Sequence, residues 1–166
     1  MPTDRPVSGA TIDSEWGQDV HDRVHAPKGC RVHGDALSLS TSSSLVTLHL
    51  TTADDDPGGW LDAANYRIEC PTGAGGLYVI TARINSVDGD IGDKVRAYLL
   101  LNGTAIAGDS TDSYEGANQP FTITAMPVLS AGDRIIIRAG KVGSGANPSV
   151  SVLSLVAARI GDELGA

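Results

Sequence analysis

Residues 75–109 read GGLYVITARINSVDGDIGDKVRAYLLLNGTAIAGD. In the first half, Tyr78, Ile80, Ala82 and Ile84 take one side of a strand and Leu77, Val79, Thr81 and Arg83 the other. That is the period-two pattern of a sheet. In the second half, residues 95–101 run into Asn102-Gly103, and residues 104–109 return. Asn-Gly readily takes the two positive-φ positions of a tight hairpin. The stretch therefore predicts antiparallel strands.

Working outward, the same character holds on both sides. Upstream lie CRVHG (30–34), ALSLS (36–40), SLVTLHL (44–50) and YRIEC (66–70). Downstream lie PFTITAMPVL (120–129), DRIIIRAGKV (133–142) and SVSVLSLVAARI (149–160). Strands at this spacing with no helices between them predict an antiparallel sandwich or barrel. The last run is apolar at nearly every residue, which calls for a central strand or a subunit interface. Residues 51–65, TTADDDPGGWLDAAN, read as a long loop holding an acidic run and Trp60.

Only residues 12–30, IDSEWGQDVHDRVHAPKGC, read as a helix. Asp13 or Ser14 can cap it, Ile12, Trp16, Val20 and Val24 form an apolar stripe, and Pro27 ends it. A helix this short is marginal alone, so the stripe needs something to pack on. Residues 1–10 read as an extended arm. The expected division is an arm and docking helix over 1–28, an all-β domain over 29–161 and a tail over 162–166.

Composition agrees. The 166 residues suit one domain, and 20 glycines with only 4% aromatics suit short strands and tight turns. A net charge of −8 argues against nucleic acid, which needs a concentrated basic surface. No apolar run is long enough to cross a bilayer, and the first ten residues lack the apolar core of a secretory signal. The reading is a chain folded in a cytoplasm, with Cys30 and Cys70 as free thiols.

GGLYVITARI, VRAYLLLNGTAIA, LSAGDRIIIRA and VLSLVAARI, in this order, resemble the complement/tumour-necrosis-factor jelly roll over about residues 29–161. Upstream, WGQDVHDRV followed by CRVHG resembles small bacteriophage virion proteins in which a Trp-Gly helix precedes such a domain. The resemblance implies an antiparallel jelly-roll sandwich and a homotrimer. Candidate interface residues are Tyr78, Tyr98, Ile136, Arg138, Leu153 and Leu155. Aromatics are scarcer here than in many members, which place several along the trimer axis.

Sites of chemistry are few. His21, Asp22 and His25 in HDRVH imitate a zinc-protease helix, but Asp is shorter than the Glu that acts as base there, and no downstream helix supplies a third ligand. The acidic runs at Asp54, Asp55, Asp56 and at Asp88, Asp90, Asp93 resemble calcium loops, yet each supplies only part of the six to eight oxygens required. His33 and His49 lie on strands without a nucleophile elbow nearby. Arg83, Arg96, Arg134 and Arg138 are strand arginines, exposed or paired across an interface.

The expected protein is a non-enzymatic virion surface component, without metal or cofactor, assembled in a host cytoplasm. Its head would be trimeric, and residues 1–28 would dock it on other virion proteins through Ile12, Trp16, Val20 and Val24. A tail position near the host-attachment apparatus competes with capsid decoration or a head fibre. A lectin-like carbohydrate-binding module is the alternative from another class. In the tail and lectin readings, loops 51–65, 86–93 and 109–120 would meet a host glycan or receptor.

Overall fold

The computed structural model describes residues 29–40, 44–87, 93–112, 118–145 and 147–161. The expected arm, helix and tail lie outside these residues. The strands are β1 (Gly29–His33), β2 (Leu37–Ser38), β3 (Val46–Thr47), β4 (Thr52–Asp55), β5 (Leu61–Asp62), β6 (Arg67–Glu69) and β7 (Gly76–Val87). They continue with β8 (Lys94–Leu101), β9 (Thr104–Asp112), β10 (Gln119–Ala125), β11 (Val128–Leu129), β12 (Arg134–Val142) and β13 (Ser149–Gly161). A single 3₁₀ turn, Ala63–Asn65, sits between β5 and β6.

Two antiparallel sheets result. The first runs β10-β7-β13-β1-β4, with β11 also on β7 and β2 on β13. The second runs β5-β6-β12-β8-β9, with β3 also on β12. Neighbours distant in sequence, such as β13 between β1 and β7, make this a jelly roll. The expected all-β sandwich is what the chain forms.

Alternation decides what lies between the sheets. Tyr78, Ile80, Ala82 and Ile84 of β7 are all fully buried, facing Val95, Ala97 and Leu99 of β8 and Ile135, Ile137 and Ala139 of β12 in one core. Asn102 and Gly103 take φ of 49° and 86°, the left-handed pair that lets β8 turn directly into β9.

The doubly apolar last strand has a particular cause. Its pairing with β7 slips between Val152 and Ser154, so the inward phase shifts by one residue. Val150 and Val152 point into the core before the slip, and Leu155 and Ala157 after it. The bulge thus turns an apparently continuous apolar run into two inward sets, with Leu153 left 44% exposed. β13 is the central strand of its sheet, one of the two placements its composition allowed.

Residues 51–65 are not one long loop. Thr52–Asp55 form the edge strand β4, exposed throughout. Trp60 is 1% exposed, with its ring edge-on to Tyr78 at 5.2 Å and 64°. The Asp56 carboxylate accepts the backbone N–H groups of Trp60 and Leu61 at 2.7 and 2.9 Å, which turns the chain inward there.

Candidate functional site

The predicted docking residues Ile12, Trp16, Val20 and Val24 lie outside the described residues, as do His21, Asp22 and His25. The six interface candidates do not share a surface. Tyr78 and Leu155 are fully buried inside the protomer, and the Tyr78 hydroxyl donates to the Ala74 carbonyl. They pack the sandwich core, so their expected place at an interface is corrected. Tyr98, Ile136 and Arg138 are half-buried on the outer side of the second sheet. Leu153 stands on the other sheet, at the β13 bulge.

The acidic runs are taken up by other partners. Asp54 lies 3.1 Å from His33 Nδ1 and 3.7 Å from Arg31 Nε, across the β1–β4 edge. Asp56 holds the turn before Trp60. Asp88 and Asp90 lie outside the described residues. Asp93 is 6% exposed and lies 3.3 Å from Lys141 Nζ, itself 3% exposed, which also donates to the Gly145 carbonyl. Among the described residues, no three His, Cys, Asp or Glu side chains come together as a metal site.

At one end of the sandwich, two of the sequence motifs meet. The Asn102 side chain donates to Asp133 at 2.7 Å and accepts the Arg134 backbone N–H at 3.0 Å. Asp133 in turn accepts the Ser130 N–H at 2.7 Å. The Asn-Gly hairpin and the Ala-Gly-Asp turn therefore clasp each other. Beside them Arg67 bridges Asp62 and Glu69, each at 2.9 Å, and Arg134 reaches Glu69 at 3.2 Å. The Asn65 hydrogen bonds, then the Arg67 charge, hold the Asp62 carboxyl below its ordinary pKa. An open cleft of about 620 Å³ lies here, lined by Asn65, Arg67, Asn102, Asp133 and Arg134. Its charged side chains already answer one another within the protomer.

Cys30 and Cys70 are free and buried. Burial, then the nearby Asp56 charge, pushes the Cys30 thiol up to about 12. A thiol held neutral in this way is a poor nucleophile.

The outer side of the first sheet is different in kind. Val128 pairs with Leu77, and Val79 pairs with Ala158. Val156 lies one outward row further on. Val128 is 55% exposed, and the nearby bulge residue Ile160 is 54% exposed. Sequence reading missed this band because its members come from three strands.

No family model and no curated protein matches the chain. Among solved structures, the globular domain of zebrafish complement 1qA protein matches with a TM-score of 0.57 at 13% identity. The match covers 82% of this chain and 99% of that one. The fold is therefore a C1q/tumour-necrosis-factor-like jelly roll, as the order of motifs implied.

Proposed function

We propose that the chain is a non-enzymatic homotrimeric head, held on a larger particle by residues 1–28, and that the particle is a bacteriophage virion with the head at its tail. The observation that carries the self-assembly is the apolar band Val128–Leu77, Val79–Ala158, Val156 and Ile160 on the first sheet. Val128, Ala158 and Ile160 are exposed, while Leu77, Val79 and Val156 are half-buried, and contiguous apolar rows left partly open in this way mark surfaces that another protein covers. A sister copy is the occupant the resemblance to trimeric jelly rolls suggests. The virion assignment rests on the resemblance of residues 16–34 to small bacteriophage virion proteins.

Light scattering on the full chain tests the assembly. The expected mass is three times the 17.1 kDa protomer, and Val128→Lys lowers it while the fold stays intact. A wild-type monomer at micromolar concentration refutes the trimer. Copy number per purified particle tests the location: a handful means tail, and hundreds mean capsid. Absence from the particle refutes the virion reading.

A further inference from the structure

Asn102-Gly103 is the only Asn-Gly step in the chain. Asparagine is a thermolabile residue, and a following glycine, with no Cβ over its nitrogen, leaves the side-chain amide open to attack. The reaction needs only water and hydroxide. The Gly103 nitrogen gives up its proton and bonds to Asn102 Cγ, the Cγ–Nδ2 bond breaks, and ammonia leaves with a proton taken from water. Water then opens the imide ring. Opening at Cγ gives aspartate, and opening at the backbone carbonyl gives isoaspartate, whose main chain runs through Cγ. Both residues are exposed, and a Cβ at Gly103 would meet nothing within 4 Å, so solvent reaches the site.

The fold holds the amide away from this reaction. Asn102 Nδ2 donates to Asp133 Oδ1 at 2.7 Å, and Asn102 Oδ1 accepts the Arg134 N–H at 3.0 Å. The Asn102 backbone N–H donates to the Arg134 carbonyl at 2.9 Å. Cγ must swing onto the Gly103 nitrogen to react, and that breaks both side-chain bonds. Neither product fits the clasp. Aspartate sets a carboxylate where the amide nitrogen stood, against the Asp133 carboxylate, and like charges repel there. Isoaspartate adds a main-chain bond to a two-residue turn whose flanking residues, Leu101 and Thr104, pair directly.

We propose that Asn102 is a self-modification site that the Asp133–Arg134 clasp keeps silent. Opening of this end of the sandwich frees the amide to react, and the product then bars the clasp from closing again. A reversible local opening becomes a permanent change in the chain. The site belongs to one protomer and does not depend on the assembly proposed above.

Peptide-mass mapping of the full chain, aged at mildly alkaline pH with and without urea, tests the silencing. One charged and one neutral hydrogen bond must break first, so the folded chain should lose the Asn102 amide roughly 30-fold or more slowly than the unfolded one. Asp133→Ala, shown to be folded by circular dichroism, should lose it about tenfold faster than folded wild type. The wild-type comparison needs no variant, so it stands even where Asp133→Ala does not fold. Chains modified in urea should refold with a lower Tm than unmodified chains, and Asn102→Asp should show the same loss. Combining Asn102→Asp with Asp133→Asn should recover the Tm, because the 2.7 Å bond returns with donor and acceptor reversed and the Ser130 N–H keeps an acceptor. Equal rates with and without urea, or a folded Asp133→Ala no faster than wild type, overturn the silencing. A wild-type Tm in Asn102→Asp overturns the claim that the product bars closure.

Discussion

Replacing Lys141 by methionine will cost far more than replacing Lys141 and Asp93 together. The Lys141 ammonium and Asp93 carboxylate are 3.3 Å apart, with side chains only 3% and 9% exposed. Lys141 continues the inward phase of Ile135, Ile137 and Ala139, so its charge closes one end of the sandwich. Lys141→Met leaves a shielded carboxylate, and Asp93→Asn leaves a shielded ammonium. Either single change removes one partner of a buried pair and costs about 3–5 kcal/mol. In a domain of this size that lowers Tm by roughly 6–20 °C. The double variant removes both charges and leaves a neutral amide short of a partner, about 1–3 kcal/mol, while the half-exposed Gly145 carbonyl that Lys141 met turns to water. Urea unfolding of the four proteins measures this cycle, and the double variant should be more stable than either single. If the two single losses simply add, the groups are not coupled and the assignment of a buried ion pair is wrong.

Trp60→Ala should lose about 3–5 kcal/mol in urea unfolding, because it empties a core site against Tyr78; a loss under 1 kcal/mol would mean that the indole is not in the core. Stability should fall as pH rises from 9 to 12. Burial raises the Cys30 thiol from 9.0 and the Tyr78 hydroxyl from 10.0, each to about 12. Between those values the unfolded chain gives up protons that the folded chain keeps. Each group therefore lowers stability by up to about 1.4 kcal/mol per pH unit, first Cys30 and then both. Urea midpoints that stay flat to pH 11 would contradict this, and Cys30→Ala should flatten the part from pH 9 to 10. Under the docking role proposed for residues 1–28, Trp16→Ala leaves the melting of the jelly roll unchanged while occupancy on the proposed particle falls, by about 2–4 kcal/mol of docking free energy. A clearly lower Tm would place Trp16 in the jelly-roll core instead.

The fold could be read because its determinants are local. Alternation along β7 fixes Tyr78, Ile80, Ala82 and Ile84 on one side, and Asn102-Gly103 fixes where β8 turns. Neither depends on distant residues. The β13 bulge does depend on them. The slip between Val152 and Ser154 is a property of pairing with β7, and it alone decides that Leu155 points inward and Leu153 outward. A strand that reads as apolar on both sides can thus belong to an ordinary one-sided core. Trp60 was hidden for a related reason, since the Asp56 hydrogen bonds that turn it inward look like loop polarity in the sequence.

Surfaces were harder to read, because phase separates the two sides of a strand without saying which side faces the partner sheet. Tyr78 shares its phase with Ile80 and Ala82, so the same alternation that predicted β7 places it in the core rather than at an interface. On β12 the phase puts Lys141 with the inward residues and Arg138 with outward Ile136. Inward Lys141 requires an anion, and Asp93 supplies it only because β8 lies beside β12. Outward Arg138 reaches Tyr98 through that same pairing, and among the described residues its Nε has no hydrogen-bond partner. Two cations three residues apart therefore sit on opposite sides of one strand: Lys141 closes the sandwich from within, and Arg138 packs half-buried beside Tyr98 on the outside.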